Sequence, residues 1–107
     1  MIYSLNGRAA FDPFITDAEV SGIVQTLEDA GLKAAIQSAV HACGPGTVRR
    51  IRTIELSLKE DAACTRTEIL PVISAIKHKF SGGWIRIMDD KESSYISLDP
   101  ELIKIRG

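Results

Sequence analysis

Two runs of strict alternation constrain this chain more than any other feature. Trp84 to Met88 and Tyr95 to Leu98 put Ile85, Ile87, Ile96 and Leu98 on one side, and Trp84, Arg86, Met88, Tyr95 and Ser97 on the other. A period of two marks a strand with one face in a core and one face out of it. The polar stretch Asp89–Ser94 between them reads as a hairpin loop. Thr47 to Leu58 alternates in the same way, with Ile54, Leu56 and Leu58 opposed to Thr53, Glu55 and Ser57. Half-apolar strands of this kind need a second layer to cover them.

Helical patterns supply that layer. Thr16-Asp17-Ala18-Glu19 has the form of a capping box, flanked by Ile15 and Val20 as a hydrophobic staple. Val20, Ile23, Val24 and Leu27 then recur with a period near 3.6, and Gly31 ends the run. Leu32, Ala35, Ile36, Ala39, Val40 and Cys43 follow at helical spacing, so a second helix is predicted, closed by Gly44-Pro45-Gly46. A third is predicted to start near Arg66 or Thr67, where Pro71 falls close to the first turn, and to end at Ser81-Gly82-Gly83. At the N-terminus, Asn6-Gly7 reads as a tight turn between Met1–Leu5 and Arg8–Phe11. Leu102–Ile105 is a last short strand. The expected fold is one α+β domain spanning residues 1–107, a two-layer sandwich with three helices on one face of a mixed, mainly antiparallel sheet.

Composition narrows the function. The 107 residues suffice for one core. A net charge of −1 argues against general affinity for nucleic acid or for a membrane surface. No apolar run nears the roughly 20 residues of a bilayer span, and the N-terminus lacks the plan of a signal peptide. A cytoplasmic location is expected, without a membrane partner.

Site chemistry is sparse. His41, Cys43, Cys64 and His78 match a zinc set in number, but His41 and Cys43 point away from each other on a predicted helix, so neither metal nor cofactor is expected. Cys64 precedes a helix start, where a thiolate would be stabilised, but no histidine can be placed beside it. Both glycine clusters follow predicted helices, the wrong end for a phosphate cradle. Asp89-Asp90-Lys91-Glu92 reads as a solvated loop. Arg50 and Arg52 share the parity of Ile54, so either the strand overshoots the helical layer or a bulge switches its faces.

The open sheet face holds the candidate site. Trp84, Arg86, Met88 and Tyr95, with Ile51 of matching parity, are residue types enriched at contacts; Arg50 and Arg52 flank them. The expected function is a non-catalytic binding or regulatory module contacting a protein partner through this face, as a homodimer. A nucleic-acid-binding domain using the same face and the Arg49–Arg52 run is the alternative. A small enzyme using Cys64 or a carboxylate ranks third. Coverage of the face by the chain's own Tyr3, Phe11 and Phe14 is the competing structural explanation.

Overall fold

The structure is a computed structural model that describes residues 1–60 and 63–99, and only the backbone of residues 41–43, 48 and 49. Its elements run β1 (Ile2–Phe11), α1 (Asp17–Asp29), β2 (Leu32–Gly44), β3 (Thr47–Leu58), α2 (Arg66–Ile76), a 3₁₀ turn over Lys77–Lys79, β4 (Phe80–Asp89) and β5 (Ser93–Ser97). The five strands form one sheet in the order β2-β3-β1-β4-β5, every pair antiparallel. Among the described residues two α-helices, not three, cover one face. The order of the first four strands is that of a split βαβ, or ferredoxin-like, unit, with β5 added at one edge.

The missing helix is the main correction to the fold. Leu32–Gly44 forms a thirteen-residue strand paired with β3 from Leu32↔Leu58 to Gly44↔Thr47. Its residues satisfy two periods at once: Leu32, Ile36 and Val40 fall on one side of either a strand or a helix. The partner strand decides between them, because β3 offers a full ladder and α1 and α2 already fill the helical layer. Gly44-Pro45-Gly46 is therefore a hairpin turn and not a helix cap.

The expected turn at Asn6-Gly7 is absent, and β1 runs straight through it as the central strand. Gly7 is there for closeness, since a Cβ on it would lie 3.0 Å from Ile85 Cγ1 and 3.1 Å from the Trp84 carbonyl oxygen. Ser81-Gly82-Gly83 likewise lies inside β4 instead of ending a helix.

The core sits between sheet and helices. Ile23 and Leu27 of α1 and Ile69, Ile73 and Ile76 of α2 are buried with Leu5, Ile54, Leu56, Ile85 and Ile87. Phe11 and Phe80 close one end, their ring centroids 5.1 Å apart. At the start of α1 the capping box forms as the sequence indicates: the Glu19 amide donates to Thr16 Oγ1 at 3.1 Å, and the Thr16 amide donates to Glu19 Oε1 at 3.2 Å. At α2 it does not, because Thr65 Oγ1 donates to the Glu68 carboxylate at 2.8 Å. The predicted strand at Leu102–Ile105 lies outside the described residues. Among the described residues no helix is long and apolar enough to cross a membrane.

Candidate functional site

The face opposite the helices carries the site, and strand register builds it. One row across the sheet runs Ala35–Glu55–Arg8–Trp84–Ser97, and the next runs Lys33–Ser57–Asn6–Arg86–Tyr95. Directly opposed side chains stand close enough to interact, and Arg8 on β1 accordingly makes an ion pair with Glu55 on β3. Both ends of that pair remain solvent-accessible. Around it Asn6, Lys33, Ser57 and Trp84 line a concavity of about 590 Å³, a volume suited to a small molecule.

On the β4–β5 side of the same face, Trp84 and Tyr95 lie on neighbouring strands. Their rings are nearly parallel, at 14°, with centroids 6.3 Å apart, and their side chains are 37% and 63% exposed. Arg86 is exposed opposite Tyr95, and Met88 is half-buried opposite Ser93. The alternation read from the sequence therefore matches this ribbon. The expected coverage by Tyr3, Phe11 and Phe14 is not seen: Phe11 is in the core, while Tyr3 is exposed and Phe14 is 92% exposed.

The other predicted residues divide. Ile51 is half-buried opposite Ala39, with the parity of the open face. Arg50 and Arg52 keep the opposite parity, on the helix side, because β3 overshoots the helical layer with no bulge in its pairing between Thr47 and Leu58 other than near the hairpin turn. Arg52 reaches back to the start of α1, donating to Asp17 Oδ1 at 2.6 Å and to the Ile15 carbonyl. Arg50 donates to Ser38 Oγ at 3.0 Å. Arg50 and Arg52 thus lie on the opposite face of the sheet from the aromatic pair.

Cys64 is buried. Its thiol donates to the Ala30 carbonyl at 3.1 Å, and desolvation, with the Glu68 charge second, pushes its pKa up, away from the thiolate a nucleophile needs. His78 follows the far end of α2, a helix of eleven residues and so roughly 16 Å long. The side chains of His41 and Cys43 lie outside the described residues. The loop after β4 is more ordered than a solvated acidic tip. Asp89 is bound by Arg66 Nε at 3.0 Å and accepts from the amides of Lys91 and Glu92 at 2.9 and 2.8 Å. The Arg66 bond first, then those amides, hold its carboxyl well below the usual range.

Arg8, Lys33, Asn6 and Glu55 escaped the sequence reading as a group. Glu55 was assigned to the polar face of β3, but its partner was hidden, because Arg8 seemed to follow a turn and Lys33 to lie on a helix. Only strand pairing brings the three together.

In class the chain is thus an antiparallel α+β domain with a charged concavity on its uncovered sheet face. No family model and no curated protein matches it. Among solved structures, a phage SAM lyase in complex with S-methyl-5′-thioadenosine is similar at 9% identity, over 90% of this chain and 89% of that one, with a TM-score of 0.46. A phage SAM lyase in the apo state is similar at 12% identity, over 88% of this chain and 87% of that one, with a TM-score of 0.44. The expected non-catalytic contact module is corrected on the geometry of this face: beside the exposed aromatic pair it holds a charged concavity of small-molecule size.

Proposed function

We propose that this protein acts on a small molecule bearing an anionic group, held on the open face of the sheet. Arg8 and Lys33 receive the anion, and Glu55 is the proton-transfer group. The observation that supports this reading is the Arg8–Glu55 ion pair at the centre of the concavity. Arginine presents a planar fork that fits a carboxylate or phosphate at two points. When Arg8 turns to a ligand's anion, the Glu55 carboxylate is released beside it, within reach of a proton on the bound molecule. Asn6 and Ser57 add neutral donors and acceptors to the same wall.

The test uses nuclear magnetic resonance with inorganic phosphate and a panel of small carboxylates. Saturable shifts confined to the Arg8–Glu55 and Lys33–Ser57 rows, abolished in Arg8→Ala, support the proposal. Shifts that spread uniformly over the surface, or that persist unchanged in Arg8→Ala/Lys33→Ala, overturn it.

A further inference from the structure

We infer that Trp84 and Tyr95 form a second subsite that takes the flat heterocycle of a ligand whose charged end lies at Arg8. The inference rests on the open-face site proposed above and names the kind of molecule that fits it.

The ring surfaces are held ready. Because the two rings are nearly parallel, a flat group laid against one meets the other at a stacking orientation. Apart from Arg8 and Arg86, which stand opposite Trp84 and Tyr95, their same-side neighbours are small. Two residues before Trp84 on the same side of β4 is Gly82, and the same-side neighbours of Tyr95 along β5 are Ser93 and Ser97. The ribbon is also pinned in register. Ile85 and Ile87 are buried beneath it, and a slip of one residue would turn them into water.

The distance between the two subsites sets ligand size. Glu55, Arg8 and Trp84 are successive partners in one cross-strand row. Arg8 on β1 lies one strand gap from Trp84 and Lys33 on β2 lies three, so an anion held by these cations stands roughly 5–14 Å from the ring. A molecule that bridges them has an anionic end, a short connector and a flat nitrogen heterocycle, which is the size and composition of a nucleotide or of a heteroaryl acid. A polymer is not needed to fill the face. Serine and asparagine on the second row offer the hydrogen bonds that a connector would use.

Trp84 is the chain's single tryptophan, so its fluorescence reports on this subsite directly. The experiment titrates the full chain with adenosine (ring alone), adenosine 5′-monophosphate (ring and anion) and inorganic phosphate (anion alone). Adenosine and the monophosphate are expected to quench Trp84 saturably, with the monophosphate binding more tightly. Tyr95→Ala should weaken both by about tenfold or more, as loss of a stacked ring does, and Tyr95→Phe should restore binding. Phosphate should still shift the signals of Arg8 in Tyr95→Ala, which also shows that the variant is folded.

No saturable quenching by either ring-bearing probe, with the phosphate response intact, would overturn the ring subsite and leave the anion reading standing. Quenching by adenosine with no response of Arg8 or Lys33 to any anion would do the reverse. Binding of a single-stranded oligonucleotide that is far tighter than that of the monophosphate, and lost in Tyr95→Ala, would replace the small-molecule inference with a polymer.

Discussion

Gly83 of β4 lies so near Ala9 of β1 that a Cβ built on it would stand 2.5 Å from the Ala9 Cα and 2.4 Å from the Arg8 carbonyl oxygen. Its φ is +139°, a conformation that side chains other than hydrogen rarely adopt. Both neighbours of this contact matter to the site, for Arg8 precedes Ala9 and Trp84 follows Gly83. Gly83→Ala is expected to lose roughly 2–4 kcal/mol of stability through combined backbone strain and overpacking. A urea titration checks this, with a lowered midpoint and an unchanged slope.

The Arg8–Glu55 pair is exposed, so its removal should hardly touch the fold. Arg8→Ala is expected to cost no more than about 1 kcal/mol of stability, as exposed pairs do, while ligand binding at the concavity is lost. Thermal unfolding compared with binding separates the two effects. A cost of several kcal/mol would show that the pair is structural.

Arg66 has the opposite character. It joins the start of α2 to the β4–β5 turn through Asp89, the Ser94 hydroxyl and the Glu92 carbonyl, and the Arg66 and Asp89 side chains are only 15% and 11% exposed. Arg66→Met should cost about 2–3 kcal/mol, because it leaves a largely buried carboxylate without its cation. Chemical denaturation measures the loss, and Asp89→Asn in the same background should recover part of it.

Two carboxylates tie stability to acid. Glu19 is lowered from 4.5 to about 2, first by its bond from Lys79 and then by bonds from Thr16, and Asp89 is lowered further. Each is depressed in the folded chain, so the unfolded chain binds more protons between the two values. Their contribution is fully present above about pH 4.5 and declines as pH falls toward 2. Unfolding free energies measured from pH 6 to 2 should show that decline, and Glu19→Gln/Asp89→Asn should flatten it.

Beyond the helices, β2 and β3 continue as a two-stranded arm. Val40 on it is 65% exposed, and Arg52 at its base is its tie to Asp17 and the Ile15 carbonyl. A ribbon of two strands has little stability of its own. Amides between Ser38 and Arg52 are therefore expected to exchange with deuterium well before those of β1 and β4, and Arg52→Ala should widen the gap.

Legibility in the sequence followed how local the deciding contact was. The ribbon from Trp84 to Leu98 was readable because its two strands are neighbours in the chain and alternate without exception. The box at Thr16 was readable because its bonds span three residues. Leu32–Gly44 was not, since small apolar residues fit both periods and the choice falls to β3. Asn6-Gly7 misled because its composition suits a turn, while the close approach of Ile85, nearly eighty positions later, is what asks for glycine. The charged concavity was invisible for the same reason: Lys33, Glu55 and Arg8 come from three strands and meet only through pairing.

The central strand, β1, is made before either of the strands that flank it. Asn6 waits for Ser57 on one flank and for Arg86 on the other, so assembly depends on contacts of great separation along the chain, which slows closure. A nascent chain halted before residue 80 would present β1 with one rail of unmatched amides and carbonyls, an inviting template for a neighbouring polypeptide.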